Sequence, residues 1–132
     1  MILLDTNTCI YLMKNTFPSM VQKLFSHDPS DIAISAVTLY ELEYGAAKSR
    51  WSEKTRNNLQ LFLAPFQILS FTSKDAVVSG QLRALLESAG TPIGPYDLMI
   101  AAQGLAGRHT VITHNTKVFS RVPGLVLDDW AE

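Results

Sequence analysis

The chain has 132 residues, of which 47% are hydrophobic and 17% charged, and its net charge is −1. This composition predicts one folded domain over residues 1–132 and excludes a disordered chain. No apolar run is long enough to span a membrane, and Asp5 interrupts the apolar core that a signal peptide needs. Cys9 is the single cysteine, and we expect its thiol to be buried and inert. Together these features predict a cytoplasmic protein.

Short apolar runs alternate with helical patterns along the whole chain. The predicted strands cover residues 1–4, 32–34, 67–71, 110–113 and 125–127. The predicted helices cover residues 6–13, 18–25, 52–63, 95–105 and 117–121, with two more that follow the caps Ser35 and Ser73 and end near Lys48 and Gly90. The helix after Ser73 carries Val77, Gln81, Ala84 and Leu85. This alternation favours an α/β fold with a central, mostly parallel sheet flanked by helices on both faces.

Asp5 directly follows the first predicted strand, and its carboxylate is a candidate metal ligand. In open α/β folds, ligands bind in the crevice outside the carboxyl ends of the strands. Asp is also a common helix N-cap, and taken alone Asp5 fits a cap better than a ligand. Thr113 and Asn115 follow a later strand, so we expect them at the same edge, where they either complete a site or only start a turn.

Two further positions place carboxylates in apolar surroundings. Asp97 lies in the first turn of a helix, on the face that also carries Ile100 and Ala101. An acid there complements the helix dipole, although an exposed acid would do so without the free-energy cost of removing a carboxylate from water. Glu41 and Glu43 lie in an apolar and aromatic helix, where a solvated surface acid is the ordinary expectation. Spacing alone does not decide which of the two glutamates faces inward.

Asp5, Asp97 and one of the two glutamates supply hard oxygen ligands without a thiolate or paired imidazoles. Such a set favours Mg²⁺ or Mn²⁺ over zinc or iron. These ions commonly serve phosphoryl transfer. The chain has no Gly-rich phosphate-binding loop, which disfavours an NTPase.

Four segments carry a family resemblance: Met1–Asn7, Ser35–Gly45, Gly90–Ala102 and Thr113–Asn115. In order and spacing they resemble the PIN-domain ribonucleases, in particular the VapC toxins of bacterial toxin–antitoxin pairs, and the resemblance covers essentially the whole chain. It implies a PIN-like fold and a Mg²⁺-dependent endoribonuclease, with Mn²⁺ as a substitute ion. The acid of the family's helix corresponds to Glu41, not to Glu43.

The resemblance also implies roles for individual side chains. Asp5 and Asp97 are expected to be Mg²⁺ ligands, and Glu41 to orient a water or help to hold a second ion. Thr113 and Asn115 are expected to hydrogen-bond to bound water or phosphate. Hydrolysis would leave a 5′-phosphate and a 3′-hydroxyl. The expected substrate is tRNA, with cleavage in the anticodon region of initiator tRNA. The expected partners are a VapB-type antitoxin and a second copy of the chain, which forms a homodimer.

One departure from the family concerns a fourth acid that usually follows the penultimate strand. Here Asn115 and Val118 stand in the places where that acid is expected. We therefore expect one ion between Asp5 and Asp97, and a second that binds weakly or only with RNA.

Two alternatives from other classes stay open. One is a non-catalytic PIN-like binding module, in which the acids serve only as caps. The other is a phospho-accepting receiver-like domain, which needs a Lys after the last strand, where this chain has Asp128 and Asp129.

Two further groups of side chains, one basic and one apolar and aromatic, each allow two interpretations. A basic run is either an RNA-binding rim or a solvated junction between helices; its members are Lys48, Arg50, Lys54 and Arg56. The apolar and aromatic side chains of the early helices exceed what one helix face needs. Core packing accounts for most of them, and some are expected to line a groove for an antitoxin segment. They include Tyr11, Leu12, Phe17, Tyr40 and Tyr44.

Overall fold

Strand β1, Ile2–Leu4, lies at the centre of a five-stranded sheet. In the computed structural model, which describes residues 1–131, β2 (Ile32–Ser35) and β3 (Gln67–Leu69) extend the sheet on one side of β1. Strands β4 (Thr110–Ile112) and β5 (Val126–Asp128) extend it on the other side. All four pairings are parallel, so the carboxyl ends of these strands meet at one edge. The predicted parallel sheet is confirmed.

Seven α-helices connect and flank these strands in the part of the chain that the structure describes, and a short 3-10 helix, Pro29–Asp31, precedes β2. The α-helices are α1 Thr6–Lys14, α2 Pro18–Phe25, α3 Ala36–Lys48, α4 Ser52–Leu63, α5 Ser73–Ser88, α6 Pro95–Gly107 and α7 Thr116–Phe119. Each corresponds to a helix predicted from the sequence. None of the helices in residues 1–131 is long and apolar enough to cross a membrane.

The two faces of the sheet bury separate apolar clusters. Because side chains alternate along a strand, Leu3 and Val111 point to one face and Leu4 and Ile112 to the other. Side chains of α5, α6 and α7 cover the first face, and those of α1, α2 and α4 cover the second. The predicted placement of helices on both faces is confirmed. Cys9 is fully buried on the second face, as expected.

Helix α5 differs from the prediction in its cap and in its buried face. Thr72, not Ser73, is the N-cap: its Oγ1 accepts from the Asp75 backbone N–H at 3.2 Å. The Asp75 carboxylate in turn accepts from the Thr72 backbone N–H at 2.9 Å, which completes a capping box. The side chains at Val77, Gln81, Ala84 and Leu85 are exposed. The helix instead buries a neighbouring stripe, which includes Leu82 and Leu86.

Helix α6 packs unusually close to the sheet through Gly104. A Cβ atom at this position would lie 2.7 Å from Val111 Cγ2 and 3.0 Å from Leu125 Cδ1. Both distances are shorter than ordinary van der Waals contact. The absent side chain therefore sets how near α6, and with it Asp97, approaches β4.

Candidate active site at the carboxyl edge of the sheet

Asp5 lies immediately after β1 and is almost completely buried, with 2% of its surface exposed. Its Oδ1 accepts from the Thr8 backbone N–H at 2.8 Å, so Asp5 is the N-cap of α1. Burial raises the pKa of Asp5 above its ordinary value, and hydrogen bonding from Thr113 and Thr8 partly offsets this, while the charge of Asp129 adds to it. Asp5 is thus a cap, and it also lies at the strand edge where a ligand is expected.

Glu41 is held in place by the residue that follows Asp5. Thr6 is buried at the start of α1, and its hydroxyl donates to Glu41 Oε1 at 2.7 Å. The hydroxyl of Thr38, one turn before Glu41 on α3, lies 3.1 Å from Thr6 Oγ1. These contacts turn the Glu41 side chain toward the edge of the sheet. Neither threonine was predicted as a site residue, although both lie close to candidate acids in the sequence.

Glu43 points elsewhere. Its Oε2 lies 3.3 Å from Nε of Arg56 on α4, in an exposed ion pair. Among the candidate acids of α3, Glu41 is therefore the one that lies beside Asp5 and its neighbours.

Asp97 joins the same group of charges from α6. It is half-buried in the first turn of that helix. Burial, followed by the negative charges of Asp5 and Glu41, raises the pKa of Asp97 to about 6. Three carboxylates that are far apart in sequence therefore lie within electrostatic reach of one another.

Thr113 and Asn115 lie where the sequence predicted, directly after β4. Thr113 is fully buried, and its backbone N–H donates to the Asp128 carbonyl of β5 at 3.0 Å. Its Oγ1 accepts from the Asn115 backbone N–H at 3.0 Å. The Asn115 side chain is exposed and makes no capping hydrogen bond to α7. Its amide group thus remains available at the rim of the site.

Asp129 is a functional candidate that was not predicted from the sequence. It follows β5, and its Oδ2 lies 2.9 Å from Nδ1 of His114. Its charge is among the causes that raise the pKa of Asp5. A fourth acid therefore comes to this edge from β5, and not from Asn115 or Val118. The signal was present, because Asp129 follows a predicted strand of a parallel sheet, but it was used only against the receiver-like alternative.

The donor set fits a hard divalent cation. The ion pairs of residues 1–131 are Arg56–Glu43 and Arg83–Glu87, and His114 contacts Asp129. None of these basic side chains pairs with Asp5, Glu41 or Asp97. Burial is the largest cause of the raised pKa of Asp97, and the uncompensated negative charges of Asp5 and Glu41 add to it. In the same described residues, no three acidic, histidine or cysteine side chains are close enough to form a complete metal-binding group. The arrangement fits an ion held by few carboxylates, with water and substrate phosphate as further ligands.

Together, these features define the chain as a parallel α/β domain with an acidic site at the carboxyl edge of its sheet. Comparisons with known proteins extend this description. The PIN domain family model matches residues 2–125. The tRNA(fMet)-specific endonuclease VapC of Salmonella typhimurium is 40% identical over 97% of this chain and 96% of its own. The chain belongs to the PIN-domain family and, within it, to the VapC group.

Solved structures agree with this membership. The VapBC2 complex of Rickettsia felis bound to a promoter DNA fragment contains a chain that is 38% identical, with a TM-score of 0.92 over 98% of this chain and 99% of that one. The DNA-bound VapBC complex of Salmonella typhimurium contains one that is 39% identical, also with a TM-score of 0.92, over 98% and 97%. The recognition made from four sequence motifs is confirmed, and the receiver-like alternative is set aside.

Proposed function

We propose that this protein is the toxin of a toxin–antitoxin pair and that it hydrolyses RNA at the acidic edge of its sheet. One observation carries the proposal: the negative charges of Asp5 and Glu41 act on Asp97 there, and no basic side chain in the described residues pairs with any of the three. Carboxylates that are close together without a positive partner lower the stability of the folded protein. The same arrangement is favourable for function where a cation and a phosphate bind.

Asp5 and Asp97 would hold a Mg²⁺ ion, for which Mn²⁺ substitutes. When bound, the ion withdraws charge from the phosphodiester and offsets the negative charge that builds up during hydrolysis. Both residues are positioned for this by backbone elements and not by flexible loops, since Asp5 caps α1 and Asp97 lies in the first turn of α6. Asp129 adds negative charge to the same edge.

Glu41 would orient the attacking water. The bond from Thr6 holds one carboxylate oxygen of Glu41, which leaves the other free to accept a hydrogen bond from water. The water oxygen loses a proton and attacks phosphorus, and the bond between phosphorus and the 3′ oxygen breaks. The 3′ oxygen takes up a proton to become a hydroxyl, and the phosphate stays on the 5′ oxygen of the following nucleotide. Thr113 keeps Asp5 and the following turn in place, and the exposed Asn115 amide can donate to a phosphate oxygen.

For the substrate we propose tRNA, and in particular the anticodon region of initiator tRNA. The name of the relative in Salmonella typhimurium, a tRNA(fMet)-specific endonuclease, supports this choice, as does that of a second relative in Shigella flexneri, which is 39% identical over 98% of this chain. For the partner we propose a VapB-type antitoxin, because chains of the same fold occur in the VapBC complexes of two organisms.

The direct test is cleavage of purified initiator tRNA by the antitoxin-free protein, with and without Mg²⁺. We expect one major cut in the anticodon region that chelation of the ion prevents, and weaker cleavage of elongator methionine tRNA. Asp5→Asn and Asp97→Asn should abolish cleavage and growth toxicity while the fold is retained.

Glu43→Gln is the matched control for Glu41→Gln, because the two residues share α3 but Glu43 pairs with Arg56 outside the site. Glu43→Gln should cleave like the parent, whereas Glu41→Gln should lose most activity. Equal losses in the two variants would contradict the assignment of Glu41. RNA binding without cleavage under every metal condition would instead support the non-catalytic binding module.

A further inference from the structure

Two exposed tyrosines, Tyr40 and Tyr96, are the chain neighbours of two acids of the site. Tyr40 precedes Glu41 on α3, and Tyr96 precedes Asp97 on α6. Their ring centroids are 5.5 Å apart, with the planes tilted by 58°, and the two hydroxyl oxygens are 3.4 Å apart. Tyr40 is 54% exposed and Tyr96 is 40% exposed. The two rings therefore form a pair at the surface, built from two different helices.

This tyrosine pair lies next to the acidic site. Tyr40 directly precedes Glu41, whose carboxylate accepts the hydrogen bond from Thr6, and Tyr96 directly precedes Asp97 in the first turn of α6. The contact between the two rings therefore spans the same two helices, α3 and α6, that bring these acids to the site. About half of the surface of these two side chains stays in water, so they stabilise the fold less than fully buried side chains of this size would.

The aromatic surface continues along α3 and into the following turn. Tyr44 lies one helical turn beyond Tyr40 and is 58% exposed, and Nζ of Lys48 lies 4.9 Å from its ring centroid. In the turn after α3, the Arg50 guanidinium lies 5.3 Å from the ring centroid of Trp51, which is 66% exposed. We call this surface the aromatic–basic strip; its members are Tyr96, Tyr40, Tyr44, Lys48, Arg50 and Trp51.

The charges of the strip are available to a ligand. Among the described residues, neither Lys48 nor Arg50 forms an ion pair with a carboxylate, whereas nearby Arg56 is paired with Glu43. The two free cations lie over aromatic faces instead. Alternating aromatic faces and unpaired cations match a flexible polyanion that carries flat bases. Single-stranded nucleic acid has this chemistry, and aromatic stacking with basic side chains is how proteins commonly bind it.

We propose that the aromatic–basic strip is the binding track for the single-stranded RNA on one side of the cleaved bond. In this proposal the tyrosine pair stacks on the base nearest the scissile phosphate, and Lys48 and Arg50 contact phosphates farther along. The proposal rests on the proposed function, since it assigns a track to the same substrate. It also gives the basic run of the sequence a role, but only for these two of its four members.

The test measures RNA binding separately from cleavage. The parent and its variants are titrated in EDTA with a short fluorescein-labelled single-stranded RNA, and fluorescence anisotropy gives the dissociation constant. Tyr40→Ala and Tyr96→Ala should each weaken binding by about tenfold, which is within the range for loss of one base–aromatic stack. Tyr40→Phe and Tyr96→Phe keep the ring and should stay within about twofold of the parent.

Two further variants sharpen the test. Phe25→Ala removes an aromatic ring that is 82% exposed on α2, outside the strip, and should leave RNA binding unchanged. Lys48→Ala should weaken binding and reduce its dependence on salt, as expected when one phosphate contact is lost. A 2-aminopurine base in the same RNA should be quenched by the parent and less so by Tyr40→Ala. The melting temperature of each variant verifies its fold.

The outcomes separate this proposal from the proposed function. Tyrosine-to-alanine variants that bind RNA like the parent would overturn the track, even if the parent cleaves tRNA. Weakened binding in these variants would support it, even if no cleavage is found. If Tyr40→Ala instead changes the molar mass in light scattering, or loses the antitoxin, while RNA affinity is unchanged, the strip is a protein interface and the proposal is wrong.

Discussion

Thr6 and Glu41 are joined by a 2.7 Å hydrogen bond, although they are 35 residues apart in the chain. Thr6 directly follows Asp5, so a single turn at the end of β1 supplies both a candidate metal ligand and the partner that orients the acid of α3. This connection couples the position of Glu41 to that of Asp5. A change in the hydroxyl of Thr6 therefore tests the role of Glu41 without altering any carboxylate.

We predict that Thr6→Val lowers kcat for RNA cleavage by about tenfold, while KM changes little, because a freed Glu41 no longer holds water in line. Thr6→Ser keeps the donor and should restore most of the activity. The measurement is steady-state cleavage of the same RNA by all three proteins, with melting temperatures as the control for folding. A valine variant as active as the parent would show that this bond does not position Glu41 for the reaction.

We predict that Mg²⁺ raises the melting temperature of the protein and that Asp5→Asn reduces this gain. A cation that binds only the folded state stabilises it by mass action, and it also relieves the repulsion among Asp5, Glu41 and Asp97. Asparagine can still cap α1, so the loss of the metal effect should not be confused with loss of the cap. Differential scanning fluorimetry with and without Mg²⁺ is sufficient. Identical melting temperatures in both proteins would argue against a bound ion under these conditions.

The stability of the metal-free protein should depend on the charge of Asp97. Its pKa is about 6 in the folded state, against an ordinary value of 3.8. The contribution of a group with a raised folded pKa is fully present below the unfolded pKa and is lost as the pH rises through the folded pKa. Asp97 therefore favours folding near pH 4 and ceases to do so by about pH 7, where the charged carboxylate is a cost to the fold.

Asp97→Asn removes this cost, so in EDTA near pH 7 we expect the variant to be more stable than the parent. After a discount for its partial exposure to solvent, we expect about 1 kcal/mol, or about 3 °C in melting temperature. Near pH 4 the advantage should disappear. Melting curves of both proteins across this range provide the test, and an advantage that does not change with pH would exclude ionisation of Asp97 as its origin.

Asn115 should govern how tightly a second ion binds to the free protein. Its exposed amide can position water or phosphate but adds no charge, so Asn115→Ala should reduce cleavage without eliminating it. Asn115→Asp adds a carboxylate at the rim and should tighten Mn²⁺ binding in calorimetric titration. Two tight Mn²⁺ sites in the parent, or an unchanged Mn²⁺ affinity in Asn115→Asp, would show that other residues hold the second ion. Asp129 would then be the first residue to test.

We predict that the protein forms a homodimer and that its VapB-type antitoxin blocks the acidic site. Leu12 is buried in the core, and Tyr11 and Phe17 are half-buried, with His114 packed against both rings. This aromatic group lies next to the turn that holds Thr113, so an antitoxin segment seated there could place a basic side chain near the acids. Light scattering at micromolar concentration tests both claims. A monomer whose mass does not change when antitoxin is added would contradict them.

Several parts of the fold could be predicted because local signals agreed with the tertiary structure. The Ser35 hydroxyl accepts from the Val37 backbone N–H and begins α3 as expected, and Pro18 and Pro95 mark helix starts. Helix α5 shows where such signals are insufficient. Val77 and Leu85 repeat at helical spacing, as do Leu82 and Leu86, and only packing against the sheet selects the second stripe.

In the site, too, some residues could be predicted from local sequence signals and others depend on tertiary contacts. Asp5 and Asp97 could be identified because each interrupts an apolar segment. The choice between Glu41 and Glu43 could not be made from spacing, since it depends on a bond from Thr6 and on the position of Arg56 on another helix. Asp129 was missed because its importance comes from its neighbour His114 and from the strand order that brings β5 to the side of β4.

The central position of β1 has a consequence for synthesis of the protein. Ile2 pairs with Thr110, and the Asp5 backbone N–H donates to the Ile112 carbonyl at 3.0 Å, so the first strand is complete on both sides only after β4 has been made. Contacts between such distant parts of a chain form late and slowly. Asp5 is translated long before Thr113, which contacts its carboxylate in the folded protein. The acidic site therefore cannot assemble until translation has passed β4 and Thr113.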